Sequence, residues 1–217
     1  MGTAEILDRV RQAALESRAD DDACEPYVVE LLQCYVLHRP HDAFAWYVLG
    51  DSLRVLGRAR QARAALLRAL SLAPAERKYV IQIRLAMLHQ DRGCQAIAER
   101  WFALASRDEA TADLGWFWIF RGANLALAEA FEEAEQCHRR ASQLPGDPDE
   151  AFLNLGYVLR AQRKYADAEA AFEQALDLTP DYPEAEKALA GLRQLPSAFS
   201  LIEPLAAHPI TRLNGRV

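Results

Sequence analysis

No stretch of the chain approaches the ~20 consecutive apolar residues that a bilayer-spanning helix requires. The longest tempting run, residues 114–119, is too short and carries a tryptophan cluster instead. The N-terminus lacks a basic segment followed by an apolar core, so no secretory leader is expected. Position 6 is Ile6 rather than Ser or Thr, which removes the myristoylation pattern after Met1-Gly2. There is no Gly-rich phosphate loop; Gly115 and Gly122 stand singly in helical surroundings. The four cysteines, Cys24, Cys34, Cys94 and Cys137, form no CxxC pair. They read as buried thiols in a reducing compartment, which points to the cytoplasm. Cys34, His38 and His41 come close to a zinc ligand set but lack a clear fourth ligand, so no metal and no cofactor are expected. The net charge of −6 without a basic stripe argues against nucleic acid as a partner. No Ser-His-Asp or Cys-His order follows from spacing, and no enzyme activity is expected.

What the chain does have is one motif in two copies. The first reads Trp46-x-x-Leu49-Gly50-x-x-Leu53, Ala62-x-x-x-Leu66-x-x-Ala69, Pro74. The second reads Phe152-x-x-Leu155-Gly156-x-x-Leu159, Ala168-x-x-x-Phe172-x-x-Ala175, Pro180. An aromatic residue, Leu-Gly, an alanine, a further large apolar residue and a closing proline resemble the tetratricopeptide repeat (TPR). Each position has a physical reason. The glycines and alanines are small where two helices cross closely. The aromatic residues fill the gap between the helices, and the prolines stop the second helix.

The resemblance implies an all-α fold, a right-handed α-solenoid of stacked antiparallel helix pairs. One pair cannot bury its apolar face alone, so neighbours must stack. The closing prolines Pro74 and Pro180 lie about four residues further apart than three periods of 34. The expectation is a degenerate pair at 1–42, repeats at 43–76, 77–110, 115–148 and 149–182, and an insertion at 111–114. A capping helix follows at 183–193 and an irregular apolar tail at 194–217. In the weak repeat, Ala96 and Ala103 are assigned the small positions. Arg84 replaces the glycine, a hint of distortion. In the next repeat His138 replaces the second-helix aromatic and Arg121 the leucine.

In the family the first helix of each pair lines the concave face, where ligands lie. Read onto this chain, that face holds Phe44, Tyr47, Asp51 and Arg54, then Lys78, Ile81 and Leu85, then Trp116 and Ile119, then Leu153, Tyr157 and Arg160. The predicted partner is a protein or peptide whose apolar or amphipathic segment lies along an apolar strip with charged edges. Asp51 and the acidic balance suggest basic flanks on that segment. Asp51 would also repel a C-terminal carboxylate, which sets the chain apart from chaperone-binding TPR domains. The function implied is an adaptor or scaffold. A dedicated chaperone for one secreted or assembling client, or a regulatory subunit of an enzyme, stands beside it. The tail, with Phe199, Leu201, Ile202, Leu205 and Ile210, is apolar enough to pack on the last helices or to join two copies of the chain.

Overall fold

A computed structural model describes residues 26–194. The degenerate helix expected near Ile6 to Leu15 and the apolar tail lie outside the described residues. These residues form ten α-helices and, among them, no strand. The chain divides into two compact units, whose described parts are residues 26–108 and 109–194.

The first unit holds α1 (Pro26–His38), α2 (Ala43–Val55), α3 (Ala59–Leu72), α4 (Lys78–Gln90) and α5 (Gln95–Ala105). Its largest core runs from Val29 and Leu32 through Leu53, Ala62 and Leu66 to Ile81, Leu85 and Leu88. Asp42 caps α2 by accepting the Ala45 N–H at 3.0 Å, and its other oxygen accepts the Tyr35 hydroxyl at 3.0 Å. Extended Ala73 closes α3, and Pro74 follows it.

The second unit holds α6 (Gly115–Leu127), α7 (Phe131–Ala141), α8 (Pro148–Ala161), α9 (Tyr165–Leu178) and α10 (Pro183–Arg193). Prolines in the first turns of α8 and α10 suit positions whose N–H groups lack helical partners. Ala168, Phe172 and Ala185 are fully buried between α8, α9 and α10.

The close crossings lie at the small residues. A β-carbon on Gly50 would meet Leu66 Cγ at 2.6 Å, and one on Gly122 would meet His138 Cε1 at 2.6 Å. On Gly156 it would run into the Phe172 ring.

The weak repeat has a different register from the one expected. Ala98, Phe102 and Ala105 are fully buried on α5, whereas Ala96 and Arg100 are exposed and Ala103 is half-buried. The matching small residue on α4 is Ala86, also fully buried, so Arg84 does not occupy the crossing. Backbone geometry gives the same register independently. Gly57, Gly93, Glu129 and Arg163 all adopt left-handed φ, at 70°, 70°, 60° and 63°. Each sits in the loop inside a helix pair. The spacings are 36, 36 and 34 residues, and Gly50, Ala86, Gly122 and Gly156 repeat them. The four extra residues are therefore shared between two places instead of inserted at 111–114. One is the turn around Ala75–Arg77, the other the turn around Glu109–Thr111.

Residues 111–114 instead form the entry to α6, tied as the entry to α2 is tied. Trp118 Nε1 donates to the Ala112 carbonyl at 3.2 Å, and Arg140 donates to the same oxygen at 3.0 Å. In the first unit Trp46 Nε1 and Arg68 both donate to the Pro40 carbonyl, at 3.1 and 3.4 Å.

Candidate functional site

On the first-helix side of the first unit, α2 presents Phe44, half exposed, against Tyr47 with ring centroids 6.3 Å apart. Tyr47 is itself only 8 % exposed, so it supports Phe44 rather than offering a surface. Further along, four charges close on one another. Arg54 bonds Asp51 at 3.0 Å and Asp91 at 2.8 Å. Arg84 meets the second Asp51 oxygen at 3.3 Å and donates to the Tyr47 hydroxyl at 3.3 Å. Burial works against both guanidinium charges, yet Asp51 beside them still raises their pKa values above the usual arginine range.

This network corrects the charge reading of the groove. Asp51 is already engaged by two arginines, so it is no free attractant for a basic flank. Replacing it would break two internal ion pairs and could not report on a ligand's charge. The apolar strip is corrected as well. Ile81 and Leu85 belong to the buried core of the first unit. Ile119 and Leu153 are buried in the second. In the observed register Val80, Ile83 and Met87 take the places assigned to Lys78, Ile81 and Leu85, and Ile83 and Met87 are buried as well, so this position packs inward in either register. Lys78 is exposed at the start of α4.

In the second unit Trp116 is half-buried at the start of α6, edge-on to Phe120 at 6.3 Å. Tyr157 on α8 stands edge-on to Phe172 at 5.3 Å, and Arg160 lies over its ring at 5.1 Å. Burial raises the Tyr157 hydroxyl pKa, opposed by Arg160 and assisted by Glu184. Tyr182, in the turn before α10, is raised further, first by burial and then by Glu150, Asp149 and Glu184. Sequence reading places Glu150 on the first-helix face and Glu184 on the capping helix, but not their convergence with Asp149 on Tyr182. Their convergence joins α8 to a turn about thirty residues away, which no local pattern reveals.

Phe44, Trp116, Tyr157 and Arg160 therefore keep exposed surface on first helices, two units contributing separately. Asp51, Arg54 and Tyr47 are bound into internal contacts. No group of three or more His, Cys, Asp or Glu side chains among the described residues is placed to hold a metal. His38 uses Nδ1 to donate to the Cys34 carbonyl at 2.9 Å, a bond within its own helix. Among the described residues no helix is long and apolar enough to cross a membrane.

Models of the tetratricopeptide repeat match residues 45–76 and 149–182. Similar solved structures include YrrB, described as a TPR protein with an unusual peptide-binding site. It is 17 % identical, covers 75 % of this chain and 81 % of its own, and gives a TM-score of 0.62. The pilF protein of Pseudomonas aeruginosa is 26 % identical over 71 % of this chain and 69 % of its own, with a TM-score of 0.63. MamA 41-end from Desulfovibrio magneticus RS-1 is 16 % identical over 84 % and 99 %, with a TM-score of 0.66. No curated protein matches the sequence.

Proposed function

We propose that this tetratricopeptide-repeat protein, a protein–protein interaction module by its repeats, works as a non-catalytic adaptor that binds an apolar or amphipathic peptide segment on its first-helix faces. The observation that carries this reading is Phe44. A phenylalanine left 50 % exposed and seated on a buried tyrosine, whose hydroxyl accepts from Arg84, is a preformed aromatic anchor. Trp116 takes the equivalent place on α6 of the second unit, and Tyr157 with Arg160 adds an aromatic and a cation on α8. Basic flanks on the peptide fit the second unit, where Asp149, Glu150 and Glu184 gather around Tyr182. The likeness to a structure described as having a peptide-binding site agrees with this use of the fold.

Random-peptide display against the full chain tests the reading. The expected selection is peptides with large apolar residues at helical or alternate spacing. Their affinity should fall about tenfold or more on Phe44→Ala or Trp116→Ala, with helicity unchanged in circular dichroism. Phe44→Ala is the informative variant in the first unit; Tyr47 is too buried to replace without disturbing the fold. Selection of peptides without apolar residues, or full binding by both variants, would overturn it.

A further inference from the structure

The acidic net charge of the chain conceals a division. Residues 26–108 carry twelve Lys and Arg against seven Asp and Glu, a balance of +5. Residues 109–194 carry eight against sixteen, a balance of −8. Within the first unit the cations are concentrated. Residues 52–75 hold five arginines and no carboxylate.

The topology gathers several of them at one end. The loops inside the two helix pairs, around Gly57 and Gly93, lie at the same end of the unit. The Arg54–Asp91 bond, 2.8 Å long, ties that end together directly. There Arg58 precedes α3, Arg60 and Arg63 lie in its first two turns, and Arg92 lies in the α4–α5 loop. Arg63 and Arg92 both act on His89, lowering its pKa after burial, which places them on the same edge. All four arginines are exposed and none has an ion-pair partner among the described residues. The nearby carboxylates, Asp51 and Asp91, are taken by Arg54 and Arg84. Val55 is 56 % exposed and Ile97 42 % exposed beside these loops.

The placement also runs against helix preference. The positive end of a helix dipole favours carboxylates, and α3 instead begins with arginines and has no side-chain cap. These arginines bring the start of α3 no local helix stability, which makes this edge the place to look for a binding role.

We propose that this end of the first unit is a second binding surface, separate from the first-helix face, for an acidic segment of a partner protein. The exposed arginines supply bidentate donors for Asp and Glu side chains. Val55 and Ile97 give an aliphatic residue of the same segment a place to rest. Among the described residues, the exposed apolar side chains at this end are aliphatic, Val55 and Ile97, with no exposed aromatic ring for stacking of single-stranded bases, which favours an acidic peptide over single-stranded nucleic acid.

The test uses the full chain and a labelled peptide of alternating glutamate and leucine, read by fluorescence anisotropy. The same peptide with glutamine for glutamate serves as a control. The glutamate peptide should bind more tightly than the glutamine one, and more weakly as salt rises. An Arg60→Gln, Arg63→Gln, Arg92→Gln variant should lose about tenfold or more in affinity. Arg92→Glu alone, in a loop that tolerates change, should lose several-fold with helicity intact. Phe44→Ala should leave this binding untouched, which separates the surface from the first-helix reading. Equal binding by the arginine variants would overturn the proposal. So would tighter binding of an oligouridine of matched charge, which would make the surface a nucleic-acid site. Salt-sensitive self-association in sedimentation, abolished by the triple variant, would also overturn it by naming a second copy of the chain as the occupant.

Discussion

Helices α3 and α7 hold the same place in their repeats, and their charges are reversed. Arg60 in the first turn of α3 stands where Glu132 stands in α7, and Gln61 where Glu133 stands. Helix α7 follows the dipole, with two glutamates at its start and His138, Arg139 and Arg140 in its last turn. Helix α3 does the opposite at its start. The backbone and the buried alanines are alike, so the outer charge is free of the fold's demands. The interior shows a second contrast between the units. Leu66 and Phe172 press on Gly50 and Gly156, whereas the equivalent His138 presses on Gly122.

The interior contrast supplies the largest expected effects. Phe172→Ala empties a fully buried position against Gly156 and should lower stability by about 3–5 kcal/mol, read by urea denaturation. His138 is equally buried, but neither ring nitrogen has a hydrogen-bond partner. Phe172 shows that a phenyl ring fits against a glycine at this crossing. His138→Phe should therefore raise stability by about 1–3 kcal/mol at neutral pH. Loss of stability in that variant would show that the imidazole is better accommodated than its surroundings suggest.

The same histidine makes the comparison pH-dependent. Burial lowers its folded pKa from 6.5 to about 3, so the native state keeps it neutral while the unfolded chain binds a proton. Its contribution is unaffected above pH 6.5. Stability then falls as pH drops through the window from 6.5 to about 3, at up to about 1.4 kcal/mol per pH unit. Urea midpoints measured across this window should slope in the wild type. The slope should be smaller by one proton in His138→Phe; an unchanged slope would assign the acid sensitivity elsewhere.

A smaller effect separates the loops. The first unit meets the left-handed position with Gly57 and Gly93, and the second with Glu129 and Arg163. A side chain there costs about 1 kcal/mol or more. Gly57→Ala should destabilise by about 1 kcal/mol, while Glu129→Gly should stabilise by up to about 1 kcal/mol. Thermal midpoints moving in the same direction for both would break the equivalence of the loops.

The two strong repeats were legible because every crossing residue has its characteristic type. The weak repeat was misread by two residues because a constant period of 34 was carried through it. The pattern Ala98-x-x-x-Phe102-x-x-Ala105, identical in form to Ala168-x-x-x-Phe172-x-x-Ala175, was the better guide. That shift put Lys78, Ile81 and Leu85 in the places that Val80, Ile83 and Met87 hold. Asp51 was misjudged for another reason: its partner Arg84 lies in the next repeat, and its pairing depends on how the helices stack. The opposed charges of the two units were visible in the sequence, but a count over the whole chain averaged them away.

The smallest effect tests the outer comparison most directly. A carboxylate in the first turn of a helix interacts favourably with the dipole, and an arginine unfavourably, by about 0.3–1 kcal/mol each at low salt. Arg60→Glu should therefore stabilise the first unit slightly, and the reciprocal Glu132→Arg should destabilise the second by a similar amount. Both shifts should shrink in high salt as the charges are screened. If α3 carries its arginines for an acidic partner, Arg60→Glu should gain stability and lose affinity for the glutamate peptide together. A gain in stability with affinity unchanged would leave the reversed helix without a binding role. A loss of stability would mean that Arg60 makes a favourable interaction in the native state that outweighs the dipole.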